Sequence, residues 1–351
     1  MGHKEGKIEF YTGPKEVGAP DNLEEVVISF LDAAHNRLEI AVRELESVPI
    51  AGAIIRARER GVLVKLVLEQ DYLKADRIQK NPWVLGGKNE NNRQIHSAIL
   101  RAKIDVKCDY NTHIFHQKFI IRDRSSVLTG STNFTPTGTH HNLNHVVIIH
   151  DETLAKIYAR EFREIQRGHF GKLNEGHDKA PADVVVSQVP VRVLFAPDHQ
   201  PEMEIMKQML KARKRIDFAI FTFSKSSGID DTIIRLLDMH MPVRGAFDEK
   251  QGARDWAAIP TLKAHGAEFF AVRETDGVNK LHHKLMVLDD ELVIAGSFNY
   301  TGPANRLNDE NIIIIGDLET QSPERRTAQR RIASFARNEI DRIIAHHGAR
   351  L

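Results

Sequence analysis

Two histidines, two lysines and a repeated serine–asparagine tail are the residues of this chain whose spacing points to chemistry. From His116 the sequence reads HQKFIIRDRSSVLTGSTNFTPTGTHHNLN, and from His282 it reads HHKLMVLDDELVIAGSFNYTGPANRLNDE. The two stretches align without a gap at a constant offset of 166 residues (282 minus 116). His116 matches His282, Lys118 matches Lys284, Asp123 matches Asp289 and Gly130 matches Gly296. Asn133 matches Asn299, and Asn142 matches Asn308. The register runs on into apolar strands, VVIIHD at 146–151 and IIIIGD at 312–317. Shared spacing over this length means two copies of one structural unit.

The run after each histidine alternates as a strand does, so His and Lys, two apart, face the same side. DRSS (123–126) and DDE (289–291) read as tight turns into a returning strand. That strand carries Ser131 and Asn133, or Ser297 and Asn299, back beside the His–Lys pair. Each copy then offers an imidazole, an ammonium, a hydroxyl and an amide. Doubled across an interface, the set suits a phosphoryl centre. Lys118, Lys284, Asn133 and Asn299 would hold the non-bridging oxygens, one histidine would attack, and the other would protonate the leaving oxygen. Ser131 and Ser297 are expected to bind substrate, as phosphate contacts or from one layer behind. Asp123 and Asp289 fit turn formation better than catalysis. His113, His140, His141 and His145 crowd the first motif, but the second copy has no matching histidines and no cysteine partners. No metal site and no cofactor is therefore expected.

Around these motifs, strands alternate with helices, which predicts an α/β fold. In the first half, strands are expected at 7–12, 38–44, 62–69 and 104–108, with helices at 23–36, 48–60 and 154–166. The second half repeats the cycle, with strands at 191–197, 215–223, 242–249 and 267–272 and helices at 202–214 and 232–240. The first copy spends about 16 more residues than the second between its matching strands. That stretch, 70–100, contains the polar run 86–94 and is expected as a surface insertion, with a loop bordering the cleft as the sharper reading. The Gly-rich, charged run after 166 reads as a linker. The domains are thus a first half at 1–166, a linker at 167–190 and a second half at 191–351. Ser322 and Pro323 open a C-terminal helix with an apolar stripe and an Arg-rich face, seven Arg against three acids in 322–351.

The doubled His-x-Lys-x4-Asp with Gly-Ser-x-Asn downstream resembles the phospholipase D superfamily, the HKD phosphodiesterases, over nearly the whole chain. The resemblance implies two α/β/α sandwich halves with mixed β-sheets, related by a pseudo-twofold, with the active site between them. It also implies a metal-free, two-step reaction through a covalent phosphohistidine. The residues it carries over are His116, Lys118, Asn133, His282, Lys284 and Asn299. Members often close the motif with Asn-x-Glu. The second copy has Asn308 and Glu310, whereas the first has Asn142 and then Asn144 in place of the acid. Glu310 is accordingly expected to bond the back nitrogen of His282 and make it the general acid, leaving His116, with only an amide available, to attack.

Composition bounds the substrate and setting. The chain has 351 residues, 41% apolar and 28% charged, with a net charge of +1, so anion binding must be local. One cysteine, Cys108, reads as an unreactive thiol at a strand end, and its isolation fits a reducing, cytoplasmic setting. The N-terminus lacks the apolar segment of a signal peptide, and no run nears the roughly 18 apolar residues of a spanning helix, so no stable membrane insertion is expected. The tails GSTNFT and GSFNYT are similar to those of nuclease members of the superfamily. An endonuclease acting on DNA or RNA is therefore expected, with a soluble phospholipase D or phosphatidyltransferase as the alternative and a non-catalytic binding module as a third class. Phe115, Phe134, Phe298 and Tyr300 fit core positions better than base stacking. A homodimer is compatible with the sequence, but two motifs in one chain make it unnecessary for the site.

Overall fold

A computed structural model describes residues 1–351 except 75, 76, 78, 79, 175 and 177. The first four belong to the stretch expected as an insertion and the last two to the expected linker; at these positions both expectations lie outside the described residues.

Local rules build each half in the same way. Leu23–Asp32 is helical because Leu23, Val27, Phe30 and Leu31 share one buried face. Asn22 caps it, its side-chain oxygen accepting from the N–H groups of Glu24 and Glu25. Ser47 caps Val48–Glu59 through the Ile50 N–H at 3.1 Å. Between them the strand Arg37–Val42 is buried at every residue but its first, as a strand covered on both faces should be.

Among the described residues, two mixed sheets of nine strands each result. In the first, Lys118–Arg122 lies antiparallel to Arg37–Val42, which runs parallel to Leu63–Leu68 and so to Asp105–Cys108. In the second, Lys284–Leu288 lies antiparallel to Ile216–Ile220, followed by parallel Val243–Asp248 and Glu268–Val272. Val42 pairs with Lys118 as Ile220 pairs with Lys284, so the register is common to both copies. The expected two-half α/β architecture is present.

Each sheet has its own outer core beneath its helices, and the inner faces bury one shared core with the helices Glu152–Gln166 and Pro323–His347. Tyr158 packs edge-on against Phe119 of its own half at 5.1 Å and against Phe195 of the other at 5.2 Å. Burying such side chains is worth about 1.5–3 kcal/mol each, which holds the halves in fixed relation. The short strand Lys280–Leu281 also crosses over, pairing in parallel with Asn142 and Leu143 of the first sheet.

Several expectations change in detail. The polar run 86–94 is not all loop: Glu90–Arg101 is a helix because Asn92, Ile95 and Ile99 bury one face. The stretch 70–100 packs back on the sheet: Tyr72 lies against Arg43, which lines the cleft described below, and Asn92 donates to Glu46 at 2.7 Å. The second sheet takes up the chain from its edge strand Val184–Val186. The C-terminal helix ends at His347, and Gly348–Arg350 adds a strand to the second sheet. Its arginines are largely neutralised by acids of the same molecule: Arg331 by Glu5, Arg330 by Glu291, Arg337 by Asp290 and Arg342 by Glu339. Phe115, Phe134, Phe298 and Tyr300 are all at most 1% exposed and belong to the core. No helix among the described residues is long and apolar enough to cross a membrane.

Candidate active site

His116 and His282 each enter their strand through a backbone bond to the opposite half. The His116 N–H donates to the Asp309 carbonyl at 2.9 Å, and the His282 N–H donates to the Leu143 carbonyl at 2.9 Å. Two residues on, each lysine folds back: Lys118 Nζ donates to the His116 carbonyl at 2.9 Å, and Lys284 Nζ to the His282 carbonyl at 2.8 Å. The shared side predicted from strand alternation is what brings them together. Asp123 and Asp289 cap the turns that follow, both at positive φ (52° and 54°). Each carboxylate accepts from three successive N–H groups, those of His35, Asn36 and Arg37 or of Arg213, Lys214 and Arg215. They anchor each turn to the backbone that enters the neighbouring strand.

The groups behind the imidazoles are exchanged between the halves. Glu310 Oε2 lies 2.7 Å from Nδ1 of His116, while Nδ1 of His282 faces Asn144 Oδ1 at 2.9 Å. The expected Glu310–His282 bond therefore does not form, and the roles assigned on it lose their basis. The reason is topological: each motif's tail ends on the strand that meets the other half, so its last side chain reaches across. Asn144 is held in one amide orientation, its Oδ1 accepting from Ser131 Oγ at 2.8 Å and its Nδ2 donating to the Gly138 carbonyl at 2.8 Å. Nδ1 of His282 must then be the protonated nitrogen.

Ser131 and Ser297, expected to bind substrate, do not line the cleft described below. Both are fully buried, and Ser297 Oγ donates to Glu310 Oε2 at 2.6 Å as Ser131 does to Asn144. They orient the backing groups instead. The glycine before each serine is obligatory: a Cβ on Gly130 or Gly296, at φ 152° and 143°, would lie 2.3 Å from the carbonyl of His145 or Asn311. Further bonds cross the interface alongside, Asn311 Nδ2 to Gln117 Oε1 at 2.7 Å and His145 Nδ1 to His283 Nδ1 at 3.0 Å. The crowded histidines thus have other partners: His145 pairs with His283, and His140 with Glu16 and Glu24. Among the described residues, the grouping able to hold an ion is Asp178, Asp198 and His199, not these histidines, and Arg160 already pairs with Asp178.

Burial sets the electrostatics. It holds both catalytic-type histidines well below their ordinary pKa, with the neighbouring lysines adding to the effect. The 2.7 Å contact is therefore a neutral imidazole N–H donating to Glu310 rather than a full ion pair. Burial also pushes Glu310 up to about 7, against the pull of Lys118, and brings Lys118 down to about 7. Lys284 lies well below its ordinary value for the same reason, with Lys118 adding repulsion. Such a site is short of anionic charge and suits a bound phosphodiester.

A cleft of about 470 Å³ is bordered by His116, Asn299 and Glu310, while His282, Lys118, Lys284 and Asn133 lie outside its lining. Among the described residues, Asn299 Oδ1 is buried without a hydrogen-bond partner, and so is Asn133 Oδ1, whose Nδ2 donates to Glu44 at 2.5 Å. Among the lining residues that escaped the sequence reading are Arg43, Phe221 and Trp256. Arg43 follows Val42 and Phe221 follows Ile220, the residues paired with the two lysines. That shared position was the only available signal. Lys284 Nζ lies 5.1 Å from the Phe221 ring centre, and the His282 ring 5.0 Å from it.

Comparison with known proteins agrees with this architecture. The family model described as "Cardiolipin synthase, PLD-like domain" matches residues 27–166 and again 205–332. A phospholipase D of Rickettsia conorii (strain ATCC VR-613 / Malish 7) is 30% identical over 143 residues, 41% of this chain and 64% of the relative. A mitochondrial cardiolipin hydrolase of Xenopus tropicalis is 28% identical over 132 residues, 38% of this chain and 55% of the relative. The chain thus spans less than two thirds of the length of either relative. The crystal structure of phosphatidylserine synthase from Haemophilus influenzae Rd KW20 superposes over 100% of this chain and 89% of its own, with a TM-score of 0.70 at 15% identity, a likeness of fold. With the family match covering most of both halves and both motifs in place, the chain belongs to the phospholipase D superfamily.

Proposed function

We propose that the chain is a phosphodiesterase that cleaves nucleic acid internally through a covalent phosphohistidine, with His116 as nucleophile and His282 as general acid. The observation that carries the chemistry is the cross-paired imidazoles, each backed at Nδ1, with no protein hydrogen bond to either Nε2 among the described residues. Binding of the anionic phosphodiester favours the imidazolium of His282, protonated at both ring nitrogens; Nε2 of His116 then attacks phosphorus, the bond to the leaving oxygen breaks, and that oxygen takes the Nε2 proton of His282. Neutral His282 then takes a proton from water, which attacks phosphorus and releases His116. A phosphorylated imidazole bonded at Nδ1–H to Glu310 is cationic, so a carboxylate stabilises it more than an amide does. Asn144 leaves the His282 proton easier to give away. Lys118, Lys284 and Arg43 supply positive charge to the non-bridging oxygens, with Asn133 and Asn299 beside them.

Nucleic acid is favoured by the wall of the cleft, where Phe221 and Trp256 stand beside the hydroxyls of Thr222, Ser224 and Ser226. A planar base with polar edges suits such a wall. One observation favours a second reading, a phospholipase or phosphatidyltransferase at a membrane surface, in line with the names of the relatives. Trp83, Val84 and Leu85 are 90%, 58% and 75% exposed in succession, between Lys80 and Lys88. Labelled single- and double-stranded DNA and RNA, and anionic phospholipid vesicles, each incubated with excess EDTA and with wild type or His116→Ala, separate the two. Cutting of nucleic acid that is lost in the variant supports the first. Head-group release with no cutting replaces it by the second.

A further inference from the structure

We infer that a single-stranded nucleic acid leaves the catalytic cleft on one side only, along a groove formed by Arg306, Lys172 and Tyr110. This rests on the nucleic-acid reading above. Ser226 and Pro303 line both the cleft and a second hollow of about 440 Å³, which also touches Arg306 and Lys172. Lys172 in turn borders a third hollow, of about 340 Å³, flanked by Tyr110 and His113. Successive hollows share wall residues, so the three lie side by side in a row leading away from the catalytic cleft.

The side chains along this path suit a polyanion carrying bases. Arg306 is exposed and donates to the Ser226 carbonyl at 3.4 Å, and neither it nor Lys172 has an ion pair among the described residues. The carboxyl that feels Arg306, Glu202, is pushed up to about 7 by burial, which weakens its competition for the guanidinium. Tyr110 is 82% exposed, an aromatic face open to stacking. Cations that track the backbone and an aromatic platform for bases are the two parts of single-strand binding.

The opposite side is built differently: Lys280, which pairs with Asn142 there, keeps its ammonium 5.8 Å from the Phe221 ring at the cleft itself. The repeat places His140 where the second half has Arg306 (306 minus 166). His140 is held between Glu16 at 2.6 Å and Glu24 at 3.2 Å. Two carboxylates there repel phosphates, so the pseudo-twofold of the catalytic groups is broken in the approach to them.

The test is fluorescence anisotropy of short labelled single strands across a salt series, in the His116→Ala background so that nothing is cut. Turnover of bis(p-nitrophenyl) phosphate, which fills the cleft alone, is followed in the otherwise wild-type chain. The double change Lys172→Ala with Arg306→Ala is expected to weaken strand binding about tenfold or more and to make the log–log salt slope shallower by about 1.4, two contacts on a single strand. Tyr110→Ala is expected to weaken binding with the slope unchanged, and His140→Ala to change neither. Turnover of the small diester stays within about twofold in all of them. Strand affinity and slope unchanged in the double variant would overturn the groove, and an equal loss from His140→Ala would overturn its one-sidedness. A parent that hydrolyses the small diester but binds no strand overturns the nucleic-acid reading, and the groove with it.

Discussion

Glu310 and His116 belong to different halves of the chain, and the 2.7 Å bond between them makes the two motif copies one site. Asn144 and His282 repeat the relation in the opposite direction at 2.9 Å. Neither histidine is complete within its own copy. The difference between the backing groups, carboxylate behind one ring and amide behind the other, breaks the symmetry of two otherwise matched motifs and separates the proposed roles.

Replacing that carboxylate isolates its contribution. Glu310→Gln keeps the shape and the Ser297 contact but removes the charge opposite the phosphorylated ring. A hydrogen bond to a charged group is worth about 1.5–3 kcal/mol, so kcat should fall by about 10- to 150-fold with KM little changed. Steady-state kinetics on a small diester measure it. A fall in affinity with kcat intact would mean that Glu310 serves binding instead.

Activity should peak near neutrality. Burial pushes Glu310 up to about 7, so on the acid side the carboxylate takes a proton and no longer offers a charge to His116. Burial brings Lys118 down to about 7, so on the alkaline side the ammonium loses the proton that holds the phosphate. The kcat/KM profile should therefore fall on both sides of about pH 7. In Lys118→Arg, which stays charged, the alkaline limb should move upward even if the rate is lower. An alkaline limb that does not move assigns it to another group.

Asn144→Asp places a carboxylate behind His282. An adjacent opposite charge favours the imidazolium, and the His282 pKa should rise by about 1–3 units. Histidine side-chain NMR of the free protein, with His282→Gln for assignment, reads this directly. No rise would mean that Asn144 does not set the protonation of His282.

The aspartates of the motif should matter to folding and not to chemistry. Asp289→Ala strips three N–H groups of their acceptor, each worth about 1–3 kcal/mol if left unpaired. A lower melting temperature is expected, with kcat per folded molecule within about twofold of wild type. Loss of kcat in a sample shown to be folded would contradict the anchoring role.

Much of this arrangement was legible because it is local. His and Lys two apart on a strand must share a face, and an aspartate in a tight turn has few partners except nearby N–H groups. The doubled register made two similar sheets the natural expectation. What depended on contacts remote in sequence was not legible. Glu310 stands near His282 in the chain but bonds His116, because its strand lies at the interface. The arginines of the last helix look like a basic face until Glu5, Asp290 and Glu291 fold against them. Arg43 and Phe221 share only their place after the strand residues paired with the two lysines, Trp256 has no counterpart, and packing brings all three to the cleft. Ser131 and Ser297 directly follow the returning strands, but both are buried and bond Asn144 and Glu310 instead of lining the cleft.

The most direct measurement is a rapid-quench reaction of His282→Ala with bis(p-nitrophenyl) phosphate, followed by peptide mapping under alkaline conditions that preserve phosphohistidine. Nitrophenolate leaves without an acid, whereas hydrolysis of the adduct needs His282 as base. The predicted result is a burst of one nitrophenolate per chain and a phosphoryl adduct on His116. An adduct on His282 in the converse His116→Ala variant, with no burst from His282→Ala, would reverse the two roles; no adduct in either variant would remove the covalent mechanism.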